Sequence, residues 1–530
     1  MKRWMFLTLL LAGCSEGALE SVSLDEGEPR PAPGDRDDDG ESQEPTDPGE
    51  VERFRLSKPA STANRVFVAN ETTGTVAIVS IDGGAIRINT VRAGARPTVL
   101  LPIVDEDAAV VLNQGSSSLT LVRAGRGVTP DSSETIDILA GCNRLVLSPG
   151  ADLAFAWYDD RLRESGVPSG ALSVVSVVPL RTMDAAWQIS VGVNVRDIVF
   201  SDDGERALLV SDEGVSEIAL AELTGDTFAP PTAVTDPLDP LPLGASQEVL
   251  LTPDGELAVV RTAGSAELRI VSLSDGQTTL WQPGGVPTDI DLLRDGSVLV
   301  SVPELGQVLL ADLQGLIAED AEAVAAITIE EHPTGQTSMD ALEALAVVFS
   351  APPSPSEAGN GIVSLLNLGD LTHEALNLRK GVTEVIMGPA GRVAIALHTK
   401  VPGSATAGAS ESELLQRLYA ISVVDLSSGA TKLIPLSHFA DEVVFSADER
   451  YAWVMVSDEP AVREVVRVNT ETFRVDTVRF DREPQSIGYI ENVDSLYVSQ
   501  DHELGRIAFI SAGTLEVREV TGFELNGLIE

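Results

Sequence analysis

The chain of 530 residues predicts an all-β fold made from one repeated unit. From about residue 51 onward, short runs rich in Val, Ile and Leu alternate with turns rich in Gly, Asp, Asn, Ser and Pro. No long stretch keeps a helical period, except the short segments 313–326 and 411–418. A unit of four strands recurs about every 48 residues. Together these observations predict a repeat architecture built from small antiparallel sheets.

Each unit begins with an apolar strand and a tight turn, followed by a second apolar strand. A third strand ends near Asp or Ser, and a fourth strand is more polar. The turns between the first two strands are the clearest markers of the unit, since Gly, Pro and Asp favour tight turns. These turns occupy residues 148–150, 201–204, 252–255, 294–296, 388–391 and 446–448.

Ten such units fit into the roughly 480 residues that follow residue 50. Four strands in a unit of about 40 to 50 residues is typical of a β-propeller, because one small sheet cannot bury both faces alone. Blades packed around an axis bury them. We therefore expect seven to ten blades, with ten counted, arranged as one ring. Insertions between blades, or two smaller rings, are the alternatives.

The first unit also resembles a known family. The string at residues 65–70, RVFVAN, followed by TVAIVSID at residues 75–82, resembles the YVTN family of surface and periplasmic propellers, which are WD40-like in architecture. The resemblance extends thinly over residues 51–525, and the Tyr of the family pattern is replaced by Val66 or Phe67. It implies the propeller fold and no particular activity.

The amino terminus predicts export. Lys2 and Arg3 precede an apolar run at residues 4–11, which is shorter than the ~20 residues that a spanning helix needs. The block 11–14, Leu-Ala-Gly-Cys, resembles the lipobox of bacterial lipoproteins. The resemblance implies cleavage before Cys14, its diacylation and acylation of the new amino terminus. Ser15 in place of Asp then favours the outer membrane, on a side left open. The alternative is an ordinary secreted protein.

Residues 15–50 hold thirteen acidic residues against two arginines and almost no large apolar side chains. Such a segment cannot offset the entropy of ordering, so it predicts a disordered spacer. Asp35, Asp37 and Asp39 resemble the start of a calcium loop, but Thr46 stands where that loop needs Glu. The expected organisation is a signal peptide at 1–14, an acidic linker at 15–50 and a propeller at 51–530.

Charge and cysteine content exclude several functions. The formal net charge of −45 becomes −47 without Lys2 and Arg3, so the chain repels nucleic acid and bare anionic lipid. The membrane is therefore expected as a partner only through the lipid anchor.

Cys142 has no second cysteine for a disulfide once Cys14 is lipidated, and it is expected to be a small buried residue.

Long loops are expected to gather on one face of the ring. In an antiparallel blade, the turns after the first and third strands share one face, and the second turn and the link between blades share the other. The segments 158–170, 351–361, 398–416 and 229–246 all fall on the second face. Because long loops on rigid scaffolds carry binding functions, this face is the predicted working surface. The candidate binding residues there are Tyr158, Asp159, Arg161, Arg163, His398 and Lys400.

The motifs of catalysis are sparse. None of the five histidines pairs with another at zinc-ligand spacing, and no cofactor is expected beyond weak calcium binding at residues 35–39. The first strands are strongly apolar, which disfavours a polar cluster at the axis. We therefore expect an envelope lipoprotein whose propeller binds a protein or polymer without catalysis. The alternatives are a lactonase, lyase or quinoprotein-like enzyme with an axial site, and a purely structural envelope protein. The oligomeric state stays open.

Overall fold

The computed structural model describes residues 54–82, 85–126, 128–162, 174–201, 203–230, 247–403, 408–457 and 462–523. The predictions for residues 1–14 and 15–50, with Cys14, Asp35, Asp37 and Asp39, lie outside these ranges, as does Arg163. The described residues include no helix long and apolar enough to cross a membrane. They form ten sheets whose strands are antiparallel apart from one added parallel strand, numbered here as blades 1 to 10 in chain order.

The first five blades run from the amino-terminal side. Blade 1 contains β1 (Ala60–Ser61), β2 (Arg65–Asn70), β3 (Thr75–Asp82) and β4 (Ala85–Arg92). Blade 2 contains β5 (Pro97–Ile103), β6 (Ala108–Asn113), β7 (Ser118–Arg123) and β8 (Ser132–Asp137). Blade 3 contains β9 (Arg144–Leu147), β10 (Leu153–Trp157), β11 (Val174–Pro179) and β12 (Trp187–Ser190). Blade 4 contains β13 (Asp197–Phe200), β14 (Arg206–Ser211) and β15 (Gly214–Ala219), followed by β16 (Thr227–Phe228). Blade 5 contains β17 (Gln247–Leu251), β18 (Leu257–Thr262), β19 (Leu268–Ser272) and β20 (Thr278–Trp281).

The last five blades each have four strands. Blade 6 contains β21 (Asp289–Leu292), β22 (Ser297–Val302), β23 (Gln307–Asp312) and β24 (Val324–Thr328). Blade 7 contains β25 (Gln336–Met339), β26 (Leu345–Phe349), β27 (Ile362–Asn367) and β28 (Thr372–Asn377). Blade 8 contains β29 (Val382–Met387), β30 (Val393–His398), β31 (Tyr419–Asp425) and β32 (Thr431–Leu436). Blade 9 contains β33 (Phe439–Phe445), β34 (Tyr451–Ser457), β35 (Glu464–Asn469) and β36 (Val475–Arg479). Blade 10 contains β37 (Pro484–Ile490), β38 (Ser495–Gln500), β39 (Arg506–Ser511) and β40 (Val517–Thr521).

Ten apolar cores lie between the ten blades, one at each interface. Each core takes buried residues from two consecutive blades, and the tenth joins blade 10 to blade 1. The ring therefore closes by packing sheet faces together, and blade 1 is built from one continuous stretch of chain. The prediction of an all-β propeller is confirmed, with ten blades in one ring.

Closure between the last and first blades also uses hydrogen bonds. The Tyr497 hydroxyl donates to the Pro59 carbonyl at 3.1 Å, and the Ser61 hydroxyl donates to the Tyr489 carbonyl at 3.1 Å. The Asn492 amide donates to the Asn64 side-chain oxygen at 2.9 Å. These bonds fix blade 1 in register against blade 10.

The turn after the first strand has the same backbone form around the ring. Its last residue adopts the left-handed conformation, which suits Gly because that residue lacks a Cβ. Gly fills this place in blades 4, 5, 6 and 8, as the sequence motifs predicted. Non-glycine residues fill it in the other blades for which it is recorded, namely Asp107, Ala151, Glu343, Glu449 and Asp494.

The two faces of the ring carry the turns that the sequence assigned to them. The Ala124 N–H donates to the Asp107 carbonyl, so the first and third turns of blade 2 meet. The Gly115 N–H donates to the Ala95 carbonyl, so the second turn meets the link between blades 1 and 2. We call the first surface the tight-turn face and the second the long-loop face.

The two segments with helical periodicity form shorter helices than their patterns predicted. Helix α1 is Leu313–Ile317, and the end of that predicted segment, from Val324, belongs instead to β24. Helix α2 is Glu411–Gln416 and begins with a capping box between Ser410 and Glu413.

Cys142 is buried in the core between blades 2 and 3, and burial raises the pKa of its thiol to about 12.

Blade 4 departs from the pattern. Among the described residues it has three strands, because β16 pairs in parallel with β12 at the outer edge of blade 3. Leu223 and Ala229, on either side of this detour, pack into the core between blades 3 and 4. The chain after β15 is therefore held against the preceding blade.

Candidate functional site

The candidate binding residues that the structure describes fall into two separate groups. Tyr158, Asp159 and Arg161 follow the second strand of blade 3, whereas His398 ends the second strand of blade 8 and Lys400 follows it. Both groups lie on the long-loop face, but they are five blades apart in a ring of ten. The structure therefore brings together the members of each group and does not join the two groups.

The blade 3 group is a compact network at the start of its loop. Asp159 is buried, and both of its carboxylate oxygens accept from the Arg161 guanidinium, at 2.9 and 2.8 Å. Arg144, on the inner strand, lies 3.3 Å from the same carboxylate. Asn143 and Asp159 exchange two further hydrogen bonds through the backbone of Asp159. Tyr158 is also buried, so neither Tyr158 nor Asp159 offers surface to a partner in this structure.

Asp159 is held ionised by its neighbours. Burial alone would raise its pKa, but the hydrogen bonds and charge of Arg161 outweigh burial and hold the pKa below the usual range. Arg161 also donates to the Arg196 carbonyl in blade 4, at 2.9 Å. The network therefore fastens the start of the blade 3 loop to the next blade.

In the blade 8 group, His398 is buried with both ring nitrogens engaged. Nδ1 lies 3.1 Å from the Gly381 carbonyl oxygen, and Nε2 lies 2.7 Å from the Ser422 hydroxyl. Because a carbonyl can only accept, Nδ1 carries the proton and Nε2 accepts from Ser422. Burial, aided by the charge of Lys380, lowers the His398 pKa to about 4. The imidazole is therefore neutral at physiological pH.

Blade 7 repeats this arrangement with residues that the sequence did not single out. His332 Nδ1 lies 2.8 Å from the Pro333 carbonyl oxygen, and Nε2 lies 2.9 Å from the Ser364 hydroxyl. Burial likewise lowers the His332 pKa. Ser364 and Ser422 both lie at the same place in the third strand of their blades. A buried serine inside an apolar third strand was the available signal for this pairing.

Lys380 is the most deeply buried cation among the described residues. Its side chain is fully buried, and Nζ donates to the Leu415 carbonyl at the end of α2, at 2.9 Å. Burial and the charge of Lys400 lower its pKa to about 8. Lys400 lies over the Tyr419 ring, with Nζ 3.8 Å from the ring centroid. Both lysines therefore hold the blade 8 loop in place.

The long loops of blades 7 and 8 are fastened to each other. The Lys400 N–H of the blade 8 loop donates to the Pro355 carbonyl of the blade 7 loop at 2.8 Å. Within the blade 8 loop, the Val401 N–H donates to the Gln416 carbonyl, also at 2.8 Å. Gly359 of the blade 7 loop packs so closely on Gly381, in the link to blade 8, that a Cβ on Gly381 would lie 2.5 Å from the Gly359 Cα. We call these loops, residues 351–361 and 398–418, the loop platform.

The loop platform presents apolar side chains to solvent. Leu414 and Leu418, four residues apart in and just after α2, are 47% and 44% exposed. A depression of about 410 Å³ opens beside α2, between its first turn and the outer strand of blade 7. Its lining includes Ile362, Asn377, Arg379, Glu411 and Leu415. The platform thus combines a fixed backbone with exposed apolar groups.

The inner strands are not as apolar as the sequence suggested. Glu248 on β17 and Asp289 and Asp291 on β21 lie near one another, and Arg261 donates to Glu248 at 2.8 Å. The Thr337 hydroxyl, from blade 7, lies within hydrogen-bond distance of both Asp289 and Asp291. The expectation of an apolar axis is therefore wrong for blades 5 and 6. The apolar run of β17 begins one residue after Glu248, and β21 alternates Asp289 and Asp291 with apolar residues.

The carboxyl groups of Asp289 and Asp291 share the Thr337 hydroxyl as a hydrogen-bond partner. One hydroxyl hydrogen on Thr337 can be donated to only one carboxylate at a time, so a proton on Asp291 completes the arrangement. Burial and the charge of Asp289 raise the Asp291 pKa to about 7, and burial raises the pKa of Asp289 and Glu248. Within the described ranges, no three His, Cys, Asp or Glu side chains are arranged to hold a metal ion.

Comparison with known proteins gives structural similarities only. No protein-family model matches the chain, and no curated protein matches it. A solved structure of a dihydro-heme d1 dehydrogenase, NirN, in complex with DHE has a TM-score of 0.42 at 14% identity, over 80% of this chain and 76% of that one. A hydrazine synthase from Kuenenia stuttgartiensis has a TM-score of 0.33 at 14% identity, over 61% and 94%. A eukaryotic initiation factor has a TM-score of 0.47 at 13% identity, over 77% and 94%. At these TM-scores the similarities bear on neither blade number nor function.

Proposed function

We propose that this propeller is a non-catalytic binding scaffold held at the bacterial cell envelope, and that it docks a protein partner on the loop platform. The observation that carries the proposal is the joining of two long loops from adjacent blades into one surface. Long loops that were only neutral insertions would have no reason to be tied together. Here the Lys400 N–H donates to the Pro355 carbonyl across the two loops, and Lys380, Lys400 and His398 hold the blade 8 loop itself.

The exposed chemistry of the platform suits a protein more than a small substrate. Leu414 and Leu418 are exposed beside charged groups, a combination common at protein interfaces. The polar groups that could act as acid or base are already occupied, since both His398 nitrogens have partners. This arrangement supports docking more than proton transfer.

Attachment to the envelope rests on the sequence. Cys14, in its lipobox-like context, would carry the lipid, and the acidic segment 15–50 would separate the propeller from an anionic membrane surface. We favour the outer membrane, because Ser15 rather than Asp follows the cysteine. Replacing Cys14 with Ala should move the protein from the membrane to the soluble fraction. Retention of that variant in the membrane would contradict the anchor.

The docking surface is tested with the full mature chain as bait for envelope extracts. We expect a discrete partner to bind the wild-type chain and to be lost at least tenfold from the double variant Leu414→Asp, Leu418→Asp. The control is Leu342→Asp, which changes an exposed leucine on the tight-turn face. Equal capture by all three proteins would contradict the proposal.

A second function has one observation in its favour. Asp291 has a pKa near 7 beside Asp289 and Glu248, and a carboxyl group near neutrality can exchange protons at physiological pH. This favours the alternative of an axial enzyme of the propeller lactonase or lyase kind. Turnover of lactone substrates that is abolished in Asp291→Asn would support it. If the platform variant loses partner binding and the wild-type protein turns over no lactone, the result supports the scaffold function.

A further inference from the structure

The inner strands of blades 6 and 7 meet around two carboxyl groups of one strand. Asp289 and Asp291 are two residues apart on β21, so both side chains project from the same face of the sheet. That face is turned toward blade 7, because the Thr337 N–H and hydroxyl lie 2.7 and 2.8 Å from the Asp289 carboxylate, and the same hydroxyl contacts Asp291. Both carboxyl groups are half-buried, so solvent still reaches them.

Positive charge near this pair is scarce among the described groups. Glu248 of blade 5 adds a third carboxyl group, whose charge acts on Asp291. The cation that acts on Asp289 is Arg261, and its guanidinium is already bonded to Glu248 at 2.8 Å. Strand β25 of blade 7, Gln336–Met339, brings no charged residue to the contact. In the described ranges, three carboxyl groups therefore share one guanidinium.

Repulsion between Asp289 and Asp291 can be removed in two ways. A proton on Asp291 removes one negative charge, and the raised pKa of about 7 reflects that outcome. A bound cation removes the repulsion without the proton. The two outcomes differ in what they offer to the polar groups around the pair.

A buried hydroxyl on the next strand distinguishes between these outcomes. Ser301 of β22 lies directly opposite Asp289 in the strand register, so the two side chains project from the same face. Leu299, two residues earlier, packs into the core between blades 6 and 7, which places Ser301 on the side of blade 7 as well. Ser301 is fully buried, and its hydroxyl has no hydrogen-bond partner among the described groups. A proton on Asp291 leaves that hydroxyl unpaired at a cost in free energy, whereas a cation, or a water bound to it, would give the hydroxyl a partner.

We propose that Asp289, Asp291 and Ser301 form a binding site for a divalent cation between the inner strands of blades 6 and 7. All three side chains offer oxygen, which suits Mg²⁺ or Ca²⁺ more than a transition metal. Two carboxylates are enough for Mg²⁺, because this ion keeps several of its waters, whereas Ca²⁺ takes about six to eight oxygen ligands. A group of three His, Cys, Asp or Glu ligands, which the described residues do not form, is therefore not required. Mg²⁺ is the ion that this set favours.

The bound ion would add a link between two blades at the axis. Asp289 already joins blade 6 to blade 7 through Thr337, and the ion would let both carboxylates stay charged beside that hydroxyl. None of the three ligands belongs to the loop platform. The site therefore depends neither on partner docking nor on any turnover.

The first test is calorimetric titration of the full-length protein with MgCl₂ at constant ionic strength. Because the ion displaces the proton of Asp291, we expect about one proton to be released per bound ion at pH 6. The affinity should rise about tenfold between pH 6 and pH 8. Titrations in two buffers with different ionisation enthalpies measure the released proton. Absence of saturable binding at millimolar Mg²⁺, or binding that neither releases a proton nor depends on pH, would overturn the proposal.

The second test separates this site from diffuse binding of cations to an acidic chain. Asp291→Asn should weaken Mg²⁺ binding at least tenfold and reduce proton release, and Ser301→Ala should weaken binding at least threefold. The matched control is Glu384→Gln, which changes a carboxyl group on the inner strand of blade 8 and should leave the affinity unchanged. Thermal melts in EDTA check that each variant is folded. Equal affinities of Asp291→Asn and Glu384→Gln, or an unchanged affinity in Ser301→Ala, would overturn the proposal, whatever the platform variants do.

Discussion

The tight-turn face and the long-loop face use buried polar side chains for different ends. On the tight-turn face, acidic residues reach across to the neighbouring blade. Asp107 of blade 2 accepts from Thr62 and Asn64 of blade 1. Glu449 of blade 9 accepts from the Ala390 and Arg392 N–H groups of blade 8.

These acidic residues occupy a repeated position. Asp107, Glu343 and Glu449 each take the left-handed place at the end of the first turn, where glycine stands in four other blades. From there Glu343 accepts from the Arg294 N–H of blade 6, at 2.6 Å. Some of the negative charge of the chain therefore joins consecutive blades rather than facing solvent.

On the long-loop face, the buried polar groups hold loops. His398 and Lys380 fix the blade 8 loop, and Asp159 fixes the start of the blade 3 loop. The buried polar groups of the tight-turn face therefore join neighbouring blades, and those of the long-loop face hold the inserted loops in shape. Substitutions should therefore affect stability most on the tight-turn face and binding most on the long-loop face.

The largest loss of stability is expected from Asp107→Ala. The substitution leaves the buried Thr62 hydroxyl without its acceptor and removes the bonds from Asn64 and Arg126. We expect the free energy of unfolding to fall by about 3 kcal/mol, measured by urea denaturation. The neighbouring exposed Asp105→Ala is the control and should change it by less than about 0.5 kcal/mol. Equal effects of the two substitutions would contradict the stabilising role of Asp107 between blades 1 and 2.

An acid-dependent loss is expected from His398 on the long-loop face. Its folded pKa of about 4 lies below the unfolded value of about 6.5, so the unfolded chain takes up the proton first as the pH falls. Stability should therefore decrease from pH 6.5 toward pH 4, by up to about 3 kcal/mol. His398→Asn should reduce this slope in urea titrations at several pH values. His332→Asn, which changes the histidine bonded to the equivalent serine of blade 7, should act in the same direction. An unchanged slope in both variants would contradict this role of the histidines.

The sequence predicted the parts of the fold that repeat locally. Strand patterns and glycine turns recur in each unit, and they sufficed to count ten blades. Contacts between blades were harder to foresee, because their partners are far apart in the chain. Thr337 is 48 residues from Asp289, and nothing near either residue indicates the pairing.

The candidate site was predicted at the level of loops and not of side chains. Loop length placed the loops after the second strands of blades 7 and 8 on the correct face, whereas residues 163–170 and 231–246 of the other two predicted loops lie outside the described ranges. Loop length could not show that Tyr158 and His398 fold inward, because burial of a loop residue depends on the neighbouring blade. The detour of β16 was also missed, since its two residues carry no signal for pairing with blade 3.

A smaller effect, opposite in sign, is expected at the axis. The folded pKa of Asp291, about 7, lies above the unfolded value of about 4, so the folded state holds its proton more tightly. Stability from this group is present below pH 4 and is lost as the pH rises toward 7. Asp291→Asn, which can donate to Thr337 as the protonated acid does, should raise stability at pH 8 by about 2 kcal/mol and have little effect at pH 4. Urea denaturation at the two pH values checks this, and equal effects at both would contradict the raised pKa.

The smallest change in stability is expected for substitutions on the loop platform, where the change in partner binding should be largest. Leu414 and Leu418 are about half exposed, so their replacement with Asp should alter the free energy of unfolding by no more than about 0.5 kcal/mol. Leu342→Asp on the tight-turn face should be equally mild, because that side chain is exposed as well. Thermal melts of the three proteins should coincide, whereas partner capture should separate them. If the platform variant instead unfolds at lower temperature, its leucines support the loop from within, and the difference between the two faces lies in their buried groups alone.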